Sequence, residues 1–169
     1  SAVYIINDLL DLQSDQSHPR KRFRPFASGD LTAASGLGLT GLLLAGAVAL
    51  GLFTGSLAFL AVLGGYLVTT FAYSLFLKRK LLVDVLALAG LYAIRIVAGG
   101  AAAGLALSPW LLGFSMFLFL SLAAVKRQAE LVDQKITGRE SAGRAYEVED
   151  LPVLRGLSLS AATAATLVL

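Results

Sequence analysis

Cysteine is absent from these 169 residues and histidine occurs once. Disulfides, zinc–thiolate sites and cysteine nucleophiles are thereby excluded, and His18, with no second histidine to join it, is a poor metal ligand. Charge is almost as scarce. Lys, Arg, Asp and Glu make up 15% of the chain against 57% hydrophobic residues, and the mean hydropathy is +0.77. From Leu31 to Leu77 there is no formal charge in 47 consecutive residues, more apolar sequence than the core of a small soluble domain can cover. The bilayer is therefore the expected solvent. The soluble alternative, a four-helix assembly with exposed apolar surface, leaves the charge placement described below to coincidence.

A hydrocarbon core about 30 Å thick takes roughly 20 helical residues per crossing. The uncharged run holds two crossings, 32–52 and 57–77, with a turn at Phe53-Thr54-Gly55-Ser56. Further apolar segments cover 81–107 and 109–125, separated at Ser108-Pro109, where proline suits the first turn of a new helix. A final segment, 152–169, reads as a truncated span, and residues 1–7 as the end of a helix entered partway. The expectation is an all-α polytopic membrane bundle, with 1–169 a fragment of one catalytic domain of a longer protein.

What charge there is falls in patches. Arg20, Lys21, Arg22 and Arg24 precede the first hairpin, Lys78-Arg79-Lys80 follow it, and Lys126, Arg127, Lys135, Arg139 and Arg144 follow the next pair. The turns at 53–56 and 104–109 carry none. Counting crossings puts every basic cluster on one side, which the positive-inside rule makes cytoplasmic. So narrow a basic surface bordering a membrane argues against nucleic acid as a partner.

Two polar constellations border the apolar segments. If 1–16 is helical, the 3.6-residue repeat sets Asp8, Asp11 and Asp15 in one sector with Asn7 beside it. Like charges so placed oppose each other unless cations neutralise them, which points to Mg²⁺ with a phosphate-rich ligand. A solvated helix end is the plainer reading. The proline-bracketed Arg20, Lys21, Arg22 and Arg24 could fold back over these acids and grip phosphate, or could anchor lipid head groups. In the second constellation Lys126, Glu130, Asp133 and Gln134 share a broad helical face with Arg127 at its edge, a mixture suited to a phosphorylated substrate or to ordinary salt bridges. Asp84 and Arg95 are charges inside apolar helices, which usually turn to a bundle interior or aqueous cavity; Asp84 has an interfacial alternative, making Arg95 the stronger pocket candidate. With Tyr73 they complete the candidate substrate-binding set. Gly36, Gly38, Gly41, Gly46, Gly64-Gly65 and Gly99-Gly100 are read as close helix packing, because no strand precedes a phosphate-cradling glycine loop.

Asn7-Asp8-x-x-Asp11-x-x-x-Asp15 resembles the first motif of the UbiA-type intramembrane prenyltransferase superfamily, and the resemblance extends to Arg20-Lys21-Arg22-x-Arg24-Pro25-x-Ala27-Ser28-Gly29 and covers essentially the whole chain. Ordinary members have a second aspartate-rich motif after the segment ending here at Val125. This chain instead has Lys126-Arg127-Gln128-Ala129-Glu130-Leu131. With Arg95-Ile-Val-Ala-Gly99-Gly100 and Ser108-Pro109-Trp110, that block is similar to the branch transferring phosphoribose to decaprenyl phosphate. The resemblance implies a Mg²⁺-dependent transferase in a bacterial inner membrane with its active site facing the cytoplasm. Metal would sit on Asn7, Asp8, Asp11 and Asp15. Catalytic roles would fall to Asp8, Asp11, Lys21, Arg22, Lys126, Arg127 and Glu130, and substrate binding to Asn7, Arg20, Arg24, Tyr73, Asp84, Arg95 and Asp133. The implied partners are phosphoribosyl pyrophosphate, decaprenyl phosphate and membrane lipids, with self-association left open. Prenyl transfer to an aromatic or quinone precursor, and a non-enzymatic transporter or lipid-binding scaffold, are the alternatives.

Overall fold

A computed structural model describes residues 2–17, 19, 21–80, 82–137 and 146–169. Their regular structure is entirely helical: α1 (Ala2–Leu10), α2 (Leu12–Ser17), α3 (Ala33–Phe53), α4 (Leu57–Leu75), α5 (Val83–Ala103), α6 (Pro109–Thr137) and α7 (Leu151–Val168), with short 3₁₀ turns at Lys21–Phe23, Leu77–Arg79 and Val148–Asp150. Five segments are long and apolar enough to cross a membrane: Ala33–Phe53, Leu57–Arg79, Val83–Ala103, Pro109–Ile136 and Val148–Val168. The protein is an all-helical, multi-pass membrane protein. Its chain forms two compact units, Ser1–Leu60 and Ala61–Leu169.

In the first unit α1 packs on α3. Thr32 starts α3 by accepting from the Ser35 backbone N–H at 3.2 Å, satisfying one of the donors every helix start leaves over. Apolar residues surround α3 instead of forming a stripe, the pattern of a helix solvated by lipid, and Leu37, Leu42 and Leu50 lie exposed. Contact with α1 needs a gap in that surface. A Cβ on Gly36 would meet the Phe26 ring at 2.7 Å and Ile5 at 3.4 Å, so the small residue allows the approach. Among the glycines expected to mediate packing, Gly100 also has such a neighbour, Leu107 at 2.8 Å, whereas Gly38, Gly41, Gly46, Gly64, Gly65 and Gly99 face open space. Their smallness therefore answers no contact within the described residues.

In the second unit α6 packs on α5 and α7. The core joins Val85 of α5, Ala123, Ala124 and Leu131 of α6, Tyr146, and Leu151 and Leu154 of α7. Polar side chains stitch α6 to α7. Ser121 Oγ donates to Ser158 O at 3.0 Å, and Gln128 Nε2 donates to Leu154 O at 3.0 Å and Ser158 Oγ at 2.7 Å. Such bonds hold helices together where lipid offers no hydrophobic drive between them.

One helix end falls short of the apolar segment read from the sequence. α5 stops at Ala103, short of 107, because Gly104 takes a left-handed φ of 66° and its N–H closes on Gly100 O, a cap natural to glycine. α6 runs past the apolar segment to Thr137, as the helical face read for Lys126 to Gln134 requires. That extension carries the Lys126–Gln134 block on rigid helix. At the start of α5, Leu82 adopts φ 59°, a conformation costing a non-glycine residue on the order of 1–3 kcal/mol. It lies two residues before the buried Asp84.

Candidate functional site

The acidic motif of the first unit is bent. Asp11 is a turn between α1 and α2, although the backbone bonds Asp11 N–H to Asn7 O at 2.9 Å and Asp15 N–H to Asp11 O at 2.8 Å preserve helical spacing across it. The basic loop returns onto this bend. Arg24 Nη1 donates to Asp8 Oδ1 at 2.9 Å and to Asp15 Oδ2 at 2.7 Å, so one guanidinium joins two carboxylates sixteen and nine residues away. Lys21 Nζ stands 3.8 Å from Asp15 Oδ1, an ion pair too long for a hydrogen bond. Asp15 is 1% exposed, and its Oδ1 has no hydrogen-bond partner.

The fold-back of Lys21 and Arg24 expected from the sequence is thus seen, with a consequence for the metal set. No group of three or more carboxylate, histidine or cysteine side chains close enough to hold a metal occurs among the described residues. A guanidinium stands between Asp8 and Asp15 and pairs with both, its single charge balancing one of the two. The donor chemistry still suits Mg²⁺: an amide oxygen on Asn7, carboxylates on Asp8 and Asp11, and the orphaned Asp15 Oδ1 are hard ligands. Arg22 is exposed, with its guanidinium 4.8 Å from the centre of the Phe23 ring. Arg20 and His18, like Arg139 and Arg144, lie outside the described residues.

The second unit holds a different cluster. Arg127, expected at the edge of a polar face, is instead 2% exposed between the core residues Ala124 and Leu131. Its Nε donates to Asp84 Oδ2. Nη2 donates to Asp84 Oδ1 at 3.1 Å and to the Tyr73 hydroxyl at 3.1 Å, and Nη1 reaches Glu130 Oε1 at 2.8 Å and Oε2 at 2.7 Å. Tyr73 in turn donates to Asp84 Oδ1 at 2.7 Å. All three guanidinium nitrogens are engaged. A planar fork with five N–H donors is the side chain that can do this. Asp84 is 0% exposed; a buried carboxylate needs a desolvated counter-ion, and Arg127 of α6 is that ion.

Around this cluster Lys126 and Asp133 are exposed and Glu130 is partly so. Tyr146 packs beside it, its hydroxyl buried without a hydrogen-bond partner. Burial first, and then the negative charge of Asp84, push the Tyr146 phenol up to about 12. Arg95, the stronger pocket candidate in sequence, is exposed on α5. It donates to the Tyr66 hydroxyl at 3.0 Å and lies 5.6 Å and 5.0 Å from the centres of the Tyr66 and Tyr92 rings, cation–π distances. Tyr66, Tyr92 and Tyr146 were not singled out in the sequence. The available signal was the rule that charges in apolar helices seek partners, which pointed to Asp84 and Arg95 but not to the tyrosines that meet them.

Comparison with known proteins accounts for the whole chain. The model of the UbiA prenyltransferase family matches residues 1–169. A protein named uncharacterized protein y4nM from Sinorhizobium fredii is 39% identical across the full chain, which corresponds to 33% of that protein. The decaprenyl-phosphate phosphoribosyltransferase of Mycobacterium tuberculosis is 41% identical over 82% of the chain and 45% of its own length. Nodulation protein NoeC of Azorhizobium caulinodans is 34% identical over the full chain and 55% of its own length. The chain thus spans between a third and about half of the curated relatives it matches. Matched end to end by the family model, the chain belongs to the UbiA prenyltransferase family.

Proposed function

We propose that the protein transfers 5-phosphoribose from phosphoribosyl pyrophosphate to decaprenyl phosphate, releasing pyrophosphate. The observation that carries this reading is the interleaving of the acidic motif with cations at Asp8–Arg24–Asp15, a polar assembly suited to a diphosphate brought in with a divalent ion. Relatives bearing the phosphoribosyltransferase name at 36–41% identity favour phosphoribose over prenyl as the transferred group, as does the Lys126–Glu130 block. The site would face the cytoplasm from a bacterial inner membrane.

On this reading Asn7, Asp8 and Asp11 would hold Mg²⁺, which supplies charge neutralisation to the diphosphate. Asp15 fixes Lys21 and Arg24 against α2. Arg24 exchanges its bond to Asp8 for one to a phosphate oxygen, and Lys21 and Arg22 offset the negative charge that builds up on the leaving group. A lipid phosphate oxygen attacks C1 of the ribose. The new C1–O bond forms as the C1–O bond to pyrophosphate breaks, its electron pair leaving with pyrophosphate. Lys126, which is exposed, suits contact with an approaching phosphate; Arg127, whose guanidinium is engaged within the protein, does not.

The test is incubation of the full-length protein with Mg²⁺, decaprenyl phosphate and labelled phosphoribosyl pyrophosphate, beside a prenyl diphosphate with an aromatic acceptor. Label in the lipid with pyrophosphate release supports the proposal; a prenylated aromatic product replaces it with prenyl transfer; neither product from folded protein points to a non-enzymatic role. Asp8→Asn should lower turnover on the order of 100-fold, since several kcal/mol of charge stabilisation is removed at 1.36 kcal/mol per decade. Membrane insertion should be unchanged, because Asp8 is only half-buried.

A further inference from the structure

The turn between α4 and α5 concentrates positive charge where two membrane-spanning segments, Leu57–Arg79 and Val83–Ala103, are joined. Its three consecutive cations, Lys78, Arg79 and Lys80, therefore lie at a bilayer surface. Other cations of this chain are spent on acids: Lys21 and Arg24 meet Asp15, and Arg127 meets Asp84 and Glu130. Arg79 and Lys80 are exposed and form no ion pair among the described residues. The nearest acid along the chain, Asp84, is buried and taken by Arg127. The backbone carrying these charges is preset. Arg79 N–H donates to Phe76 O at 3.3 Å and Lys80 N–H to Leu77 O at 3.1 Å, closing the 3₁₀ turn, and Asp84 N–H donates to Lys80 O at 3.1 Å, tying that turn to the start of α5. A ligand held there need not order the chain first. Apolar surface adjoins the charge: Leu75 and Phe76, which immediately precede the turn, are 43% and 66% exposed.

From this juxtaposition we propose that residues 75–80 form a binding site for an anionic phospholipid, with Arg79 and Lys80 taking the headgroup phosphate and Leu75 and Phe76 lying against the acyl chains. None of these four residues takes part in the transfer reaction proposed above, so the inference stands apart from that reading. Exposed cations bordering exposed apolar side chains at a membrane surface match an amphiphile with a negative head. Arginine grips phosphate oxygens through its planar fork, and lysine adds a mobile charge. A zwitterionic lipid also has a phosphate, but its own cation is repelled by the same three side chains. A soluble phosphate forgoes the apolar contact. Each Lys or Arg beside an anionic headgroup contributes roughly fivefold in affinity.

Full-length protein in a neutral detergent can be titrated with dioleoylphosphatidylglycerol, with dioleoylphosphatidylcholine and, as a headgroup without chains, with glycerol 3-phosphate, retained lipid being counted by native mass spectrometry. Phosphatidylglycerol should bind about tenfold more tightly than phosphatidylcholine and should not be displaced by an equal concentration of glycerol 3-phosphate. Arg79→Gln combined with Lys80→Gln should weaken phosphatidylglycerol binding about 20-fold. Lys135→Gln combined with Arg155→Gln removes the same charge from two other exposed positions of this unit, and should change the affinity by less than about twofold. Were the first double variant to insert wrongly, Arg79→Gln alone, with an expected loss of about fivefold, carries the test. Equal losses in the two double variants would reduce the attraction to net charge. Equal binding of the two lipids would remove headgroup recognition, and displacement by glycerol 3-phosphate would make the ligand a soluble phosphate. Any of these three results overturns the proposal.

Discussion

Each unit contains an arginine held between two carboxylates, and the two arrangements behave as different devices because one arginine is partly solvated and the other is dry. Arg24 bridges Asp8 and Asp15 through a single nitrogen and its side chain is 41% exposed. Arg127 spends all three nitrogens on Asp84, Glu130 and Tyr73 at 2% exposure. Near water, charges are screened and can exchange partners at small cost. In a dry core the same charges were desolvated on folding, and no water replaces a lost partner. The first cluster is thus suited to opening for an incoming anion and metal, the second to holding a neighbour still.

The sharpest way to break that contrast is to remove each arginine. Arg127→Met strands the Asp84 carboxylate in the core and should destabilise the protein by about 3–5 kcal/mol, read as a large fall in the thermal midpoint of the detergent-solubilised protein. Adding Asp84→Leu should restore most of that loss, since an apolar pair of similar volume is often neutral or better. No recovery in the double variant would mean that the helices need the ion pair itself.

A smaller effect is expected for Arg24→Gln, about 1–3 kcal/mol, because the guanidinium is substantially solvated and Lys21 remains near the buried Asp15, which loses a hydrogen bond. Salt sharpens the distinction. Raising ionic strength should shrink the difference between wild type and Arg24→Gln while leaving that between wild type and Arg127→Met nearly unchanged. Equal salt sensitivity of both differences would erase the proposed contrast between exchangeable and fixed clusters.

The smallest effect concerns the edge of the dry cluster. Tyr146→Phe deletes a buried hydroxyl that has no hydrogen-bond partner, so stability should stay level or rise by up to about 1 kcal/mol. The phenol also carries a pH signature. Its folded value of about 12 lies above a phenol's ordinary 10, so the folded state holds its proton more tightly. That contribution is intact below 10 and is lost as the pH rises from 10 through about 12. A late-rising phenolate absorbance in wild type should be missing from Tyr146→Phe. A wild-type profile lacking the late group would place Tyr146 in water.

Much of the molecule could be read from residue order. The uncharged Leu31–Leu77 run required membrane helices because no core of this size hides it, and Pro109 marked the start of α6 through its fixed φ and missing N–H. Asp8 and Asp15, which Arg24 joins, were visible together because their spacing follows the helical repeat, and the cations at 21–24 stood out by density. Helix ends were less legible. The apolar segment 81–107 continues past Ala103, where Gly104 turns left-handed and caps α5.

What residue order could not decide is which charges meet. Lys126 and Arg127 differ by one position, and 100° of helical rotation puts one outside and the other in the core. Their fates follow from α5 delivering Asp84 to that face, across 43 residues of chain. Asp8 and Asp15 likewise share Arg24 because the loop folds back between them. Sequence by itself determined the solvent, the number of long apolar helices and the inventory of charged groups, since these depend on local composition and period. Only the tertiary structure decided which arginine is exchangeable and which is fixed, because desolvation is a property of a place in the fold and not of a residue in a string.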